Sequence, residues 1–497
     1  IAAIAQESPF RIQSDFLGRY GQAVLQTDTE QPEKGRAAWI HYGYGLGHAH
    51  RDSLNLGLYA HNIDMLPDFG YPEYCEGRPK QYAWESNTIS HNTLLVGDTG
   101  LPRSPGGKLT LFSVQPPVRV MDVSSPQSNA AGDTYRRTVV LVDFSETNSY
   151  VLDIFRARGG TNHRLLYQGP SQTADVEGVR VQRQPTGTFA GPEIKLDQLD
   201  IDGKRSDFLY NSGFSYLWDV DRSEGPVDSV FTVDWQAEDL RGRIKPGREP
   251  HLRLHALTPC DEVALASAQP PPNKPGNPKS LRKLIQSRLG ENMESQFVTV
   301  LEPYDPVPFI SSVERLDAVH LGDENSVAAV AVTLVDGTTD IIISCEEPTP
   351  VTVDESIEFT GCFALLRLTH GRPAMVRLAE ASVFRYGDIE IVPERAAYTG
   401  TVVSVDVSDP HDNRIHLDPP LPPGAPLAGR AIHFHNDLPL DTSFEIARVT
   451  PEGISTGDIT VINGFKDAAD YSAGYTYVVN PGDTYTIPCE VSRDIVR

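Results

Sequence analysis

His48 and His50 stand two apart in Gly47-His48-Ala49-His50-Arg51-Asp52, with Asp68 and His91 following within about forty residues. On a strand, positions i and i+2 point to the same face, about 7 Å apart. A strand-like 47–51 therefore presents both imidazoles side by side. Two imidazoles and one carboxylate, gathered from neighbouring segments, suit a tetrahedral zinc ion that keeps a further position for water or another side chain. A second histidine on the same face is then left for acid–base chemistry, which an ordinary imidazole pKa near 6.5 serves well at neutral pH. The surrounding residues favour a polar, carbohydrate-like ligand: Tyr42, Tyr44, Tyr59, Tyr71, Tyr74 and Tyr82 fall in the same stretch, with Trp84, Arg51, Arg78 and Lys80.

The elements that must position these residues read mostly as strands. Asp68 sits in the turn-like Leu66-Pro67-Asp68-Phe69-Gly70-Tyr71, and His91 directly precedes the strand-like Leu94-Leu95-Val96. Short runs rich in Val, Ile, Thr, Tyr and Phe recur at Arg137–Asp143, Ser149–Phe155, Ser229–Trp235, Leu252–Ala256, Ser326–Val335, Thr339–Ser344 and Phe363–Thr369, separated by Gly, Pro, Asn and Asp. This pattern predicts an all-β chain with a large antiparallel β-sandwich over 26–385. Two helices are expected as exceptions, over 8–19 and over Lys279–Leu289, the second after a Pro-rich surface loop that starts at Gln269. The pattern restarts near Thr399, so 386–497 reads as a small separate β domain. His433 and His435 repeat the i, i+2 spacing there, but with no acidic motif nearby they read as ordinary strand histidines.

The run GHAHRDSLNLGLYAHNIDMLPDFGYPEY, followed by SHNTLLVGD, resembles the heparinase II/III-like polysaccharide lyases, which include the oligo-alginate lyases. Tyr150–Arg156 with Gly159, Gly160 and His163, and Phe297–Pro303, extend the resemblance over most of 15–390. It implies β-elimination on a uronic-acid-containing polymer of the glycosaminoglycan or alginate type. It assigns His50, Asp68 and His91 to one structural zinc and His48 to catalysis, with Tyr71, Tyr74 and Tyr82 as candidates for a catalytic tyrosine. Arg51, Arg78, Lys80 and Trp84 are the expected substrate contacts. Asp52 and Asn92 are near enough to accept the outer N–H of a ligating imidazole. Relatives carry an N-terminal helical toroid that supplies part of the active site. Residues 1–25 look like the tail or linker of such a unit, and a helical domain or chain is an expected partner. A zinc-dependent glycan hydrolase and a non-catalytic carbohydrate-binding β protein are the rival readings.

A net charge of −24 argues against nucleic acid as a natural partner. It does not exclude a polyanion, because charges are screened over about 8 Å at physiological salt. A local group such as Arg51, Arg78, Lys80, Arg103 and Lys108 can still hold carboxylates or sulfates. No apolar run is long enough for a membrane-spanning helix. Five cysteines without CxxC spacing fit a periplasmic or secreted bacterial enzyme and equally a cytoplasmic one, and Cys345 and Cys362 could pair if their strands are adjacent.

Overall fold

The computed structural model describes residues 13–29, 31, 34–45, 47, 49–68, 79–239, 242–270 and 278–495. Strands dominate it, and the single α-helix among the described residues, Asp207–Ser212, has six residues, so the chain is all-β. No described helix is long and apolar enough to cross a membrane.

The chain opens with a five-stranded antiparallel meander: Asp15–Leu17, Gln22–Gln26, Ala37–His41, Asn55–Ala60 and Ile63–Asp64. A central eight-stranded sheet follows, with Ser149–Arg158 at its middle between Thr134–Asp143 and Glu294–Tyr304. Side chains of these strands leave on alternate faces. Val139, Leu141, Val151 and Phe155 enter one core with the meander and a six-stranded sheet. Val140, Val142, Leu152 and Ile154 enter a second core, against Val330, Val332, Ile342 and Leu365 of a sheet built on the long strands Thr338–Val353, Ile357–Thr369 and Arg372–Tyr386. The central sheet is thus buried on both sides, which explains why runs such as Thr138-Val-Val-Leu-Val lack polar alternation.

The same double burial overturns one expected helix. Lys279–Leu289 reads as helical because Leu281, Leu284, Ile285 and Arg288 recur at spacings of three and four. Leu281–Arg288 is instead a strand of the six-stranded sheet, buried at every position except Arg288. Apolar residues on both faces of a strand imitate helical spacing. The helix expected over 8–19 also fails where it is described, because Asp15–Leu17 is a strand; 8–12 lie outside the described residues.

Beyond residue 396 a seven-stranded sheet encloses its own core around Ile415, Ile432, Ile454 and Tyr485. The final strand, Glu490–Asp494, leaves that sheet and pairs with Arg372–Tyr386 in the preceding one. The strands carrying Cys345 and Cys362 do pair, yet both cysteines are free, buried thiols. Their surroundings push them up, to about 12 for Cys345 and further for Cys362, chiefly through burial.

Candidate functional site

The segment Arg51–Asn55 enters the fourth strand of the meander and is fastened at each residue. Arg51 N–H donates to Ser86 O at 3.0 Å, and Thr88 Oγ1 donates to Arg51 O at 2.7 Å. Thr93 Oγ1 donates to Ser53 O at 2.6 Å. Leu54 takes a left-handed backbone (φ 57°) while fully buried. That conformation is costly for a branched side chain and persists only where its surroundings enforce it. The enforcing group is Arg137. Its Nη1 donates to Leu54 O and to Asn92 O, both at 2.7 Å, while Nε and Nη2 clasp Asp153 at 2.8 and 2.6 Å. Tyr167 adds a 2.6 Å bond to the same carboxylate.

Across this seam stands His91, at the end of the short turn Thr88–Ser90 and fully buried. Its Nδ1 lies 2.8 Å from Asp68 Oδ2, and Asn55 Nδ2 donates to that oxygen at 2.7 Å. Its Nε2 is buried without a hydrogen-bond partner. The ring centroid of His50 is 5.1 Å away. One ligand atom each from His50, Asp52 and His91 lie within 4.8 Å of one another, a His/Asp group able to hold a metal ion. The two imidazoles are tuned in opposite directions. Burial, reinforced by the charge of His91, drives His50 down to about 4, so it is a neutral lone-pair donor at physiological pH. Burial also opposes charge on His91, but the charge and hydrogen bond of Asp68, with the charge of Asp52, outweigh it and leave His91 above the ordinary imidazole value.

Sequence reasoning missed Lys283. Its side chain is fully buried, and Nζ donates to His91 O at 3.1 Å. Burial pulls its pKa down to about 7, against the attraction of Asp68. The available signal was a lysine inside Leu281-Arg-Lys-Leu-Ile, a strand with no solvent face.

Several expectations change. Residues 49–50 are irregular rather than strand, because Gly43, Gly45 (φ 60°) and Gly47 break the chain between flanking strands. His50 therefore reaches His91 through a loop, and the same-face reasoning for 47–51 does not hold there. Asp68 is not one of the three mutually close donors; it stands behind His91 at Nδ1. Asn92 does not accept from an imidazole. Its side chain takes Gln168 N–H at 2.6 Å and donates to Leu66 O at 3.1 Å, which ties the loop before Asp68 to the six-stranded sheet. Trp84, expected on substrate, is buried: it stacks on Tyr216 at 5.7 Å and donates from Nε1 to Gln269 O at 2.9 Å. Lys108 donates to Leu440 O at 2.7 Å, in the loop between two strands of the seven-stranded sheet.

Arg51 and Lys80 are half-buried, the latter donating to Gln269 Oε1 at 3.0 Å. Burial first, and then the nearby charge of Arg103, lower the pKa of Arg51, so two guanidinium groups share one neighbourhood. Arg103 also lies over the ring of half-buried Tyr82, 5.7 Å from its centroid. His48, Tyr71, Tyr74 and Arg78 lie outside the described residues.

Residues 19–177 match the family model described as "Heparinase II/III-like, C-terminal". The chain is 23% identical over 333 residues to an exo-oligoalginate lyase of Saccharophagus degradans, covering 60% of this chain and 40% of the relative. It is 22% identical over 309 residues to an alginate lyase of Stenotrophomonas maltophilia, covering 58% and 35%. It thus spans less than half the length of either relative. Among solved structures, heparan sulfate lyase HepC from Pedobacter heparinus superposes with a TM-score of 0.42 at 13% identity, over 69% of this chain and 42% of that one.

Proposed function

We propose, from residues 19–177 as a heparinase II/III-like C-terminal region, that this chain is part of a polysaccharide lyase that cleaves a uronic-acid-containing polymer by β-elimination. The observation that carries the reading is the close group of His50, Asp52 and His91 inside that region, in which the buried His91 Nε2 has no hydrogen-bond partner. In such a reaction a base removes the proton at C5 of the uronate and an acid protonates the departing oxygen at C4. The C5 proton is weakly acidic, so the adjacent carboxylate must first be neutralised by donors or cations. His48 is proposed for proton transfer or carboxylate neutralisation, with a tyrosine among Tyr71, Tyr74 and Tyr82. Arg51 and Arg103 supply positive charge beside Tyr82, and Arg78 and Lys80 are proposed to extend it. A helical unit completing the site is the proposed partner.

The donor set fits zinc, with His50 and His91 as common ligands and a carboxylate as the third. Asp68 is the third ligand in the set that the resemblance implies. Its Oδ2 lies 2.8 Å from His91 Nδ1, near the spacing of roughly 3.3 Å between two ligands of one tetrahedral zinc. Asp52 is favoured by a different observation, its place in the mutually close group with His50 and His91. A zinc ion there would fix the loops at 50–52, 68 and 91 relative to one another. Zinc stoichiometry of Asp68→Asn and Asp52→Asn decides between them: the true third ligand loses metal, and the other retains it. For the reaction, alginate and heparan sulfate are digested and products are read by the ultraviolet absorbance of an unsaturated uronate. New reducing ends without that absorbance would make the enzyme a hydrolase. Cleavage of neutral glycans alone would overturn the substrate class.

A further inference from the structure

The hairpin Ile462–Phe465 and Tyr475–Tyr477 joins no larger sheet. Its base is anchored by the buried Val461, Val478 and Val479. Its far end carries three aromatic rings on the surface: Phe465 at 49% exposure, Tyr471 at 66% and Tyr475 at 38%. Phe465 and Tyr475 face each other across the strands, with ring centroids 5.5 Å apart, and Tyr471 lies 4.4 Å from Phe465. The six exposed aromatics among the described residues would scatter if they were incidental, yet half of them meet here. The turn between the strands is held rigid for its length. Asp467 accepts from Ala469 N–H at 2.8 Å, Asp470 from Ser472 N–H at 3.0 Å, and Lys466 N–H donates to Gly474 O at 2.9 Å.

We infer that this aromatic platform is a binding site for a polysaccharide chain, remote from the reacting residues. A pyranose presents a face of axial C–H groups, which packs on the negative face of an aromatic ring, and a rim of hydroxyls. The platform offers the matching pair: three clustered ring surfaces, edged by the exposed polar side chains of Asn463, Lys466, Asp467, Asp470, Ser472 and Thr476, with only the single methyls of Ala468, Ala469 and Ala473 among them. The base of the hairpin is tied to the first meander, on the side of the chain that leads to the candidate site. Arg19 Nη1 donates to Ile462 O at 2.8 Å. Its neighbour Tyr20 is exposed, with its ring 6.2 Å from that of His41, and His41 Nδ1 lies 3.8 Å from Asp52 Oδ2. A chain seated on the platform can therefore run past Tyr20 toward the His/Asp group. That the chain is acidic rests on the proposed function; that it is a glycan does not.

The test is native electrophoresis through gels containing alginate, heparan sulfate or a neutral β-glucan. The wild type is expected to be retarded by an acidic polymer. Phe465→Ala/Tyr471→Ala/Tyr475→Ala should weaken binding at least about tenfold, since all three stacking surfaces are lost together. Val319→Ala, at a strongly exposed position of the strand Ala318–His320, should bind as the wild type does. Tyr471→Ser alone, at the most exposed ring, should weaken binding about threefold and guards against misfolding of the triple variant. Equal retardation of wild type and triple variant, or no retardation of the wild type by any polymer, overturns the inference. Retardation by the neutral glucan alone, lost in the triple variant, upholds the platform and removes the acidic substrate class.

Discussion

Arg137 and His91 are both fully buried, and both adjoin Asn92, but their hydrogen-bonding differs completely. Arg137 has two carboxylate bonds and two carbonyl bonds, and its partner Asp153 is further held by Tyr167. His91 has Nδ1 satisfied by Asp68 and Nε2 by nothing. A buried polar atom without a partner costs about 1–3 kcal/mol, so it survives where it serves something other than stability. The saturated network holds the seam between residues 54 and 92; the unsaturated ring stands in the group of side chains able to hold a metal ion.

The sharpest way to break this contrast is Asp153→Asn. It leaves the Arg137 charge buried without its counter-charge, and should cost about 3–5 kcal/mol in urea unfolding. A loss below about 1 kcal/mol would mean that the network is not the support described.

Zinc addition probes the other member of the pair. At a hundred times its dissociation constant, zinc should stabilise the wild type by about 2.7 kcal/mol, read as a rise in melting temperature. His91→Ala should show no zinc-dependent rise, and an unchanged rise would remove His91 from the metal group.

Lys283 gives a third comparison, because it is buried with a single acceptor. Its folded pKa, about 7, lies below the ordinary 10.5, so the unfolded chain holds the extra proton between those values. Zinc-free stability should therefore climb as pH rises across that window, by up to about 1.4 kcal/mol per unit from this group. Lys283→Met should remove that contribution, and identical pH slopes in the two proteins would refute it.

The smallest effect concerns proton release. Ligands must be deprotonated to bind metal. His91, held above the ordinary imidazole value chiefly by Asp68 against the opposing effect of burial, is the imidazole that must give up a proton as metal binds, whereas His50 is protonated only near pH 4. Zinc affinity should fall about tenfold per pH unit below the His91 pKa and steepen only near pH 4. Calorimetry in buffers of different protonation enthalpy measures this directly; a release of two protons at pH 6 would contradict the assignment.

The strand-rich class was legible because β-branched runs between turn residues leave little else to build, and His50 and His91 were legible from their motif. What escaped depends on contacts far apart in sequence. Arg137 and Asp153 belong to strands that pair, but the chain gives no sign that their side chains hold Leu54 in a left-handed turn. Lys283 reaches His91 across 192 residues. Trp84 was misread because a tryptophan beside cations looks the same whether its ring stacks on a sugar or on Tyr216. Leu281–Arg288 was misread because a strand with two buried faces carries no period of two.

The return of Glu490–Asp494 to the strand Arg372–Tyr386 has a mechanical consequence. The chain leaves for the seven-stranded sheet after Ile389–Ile391, which pairs with Phe384–Tyr386, and comes back onto Met375–Ala379 of the same strand. The intervening segment is therefore pinned at two points on one rail, like a door on two hinges rather than a weight on a string. Swivelling about a single linker is forbidden to it; only rocking about the line between the pins remains. The hairpin it carries is tied further to the first meander through Arg19 and Ile462, and force applied to the last strand is borne in shear by a ladder of backbone bonds before any of that segment moves.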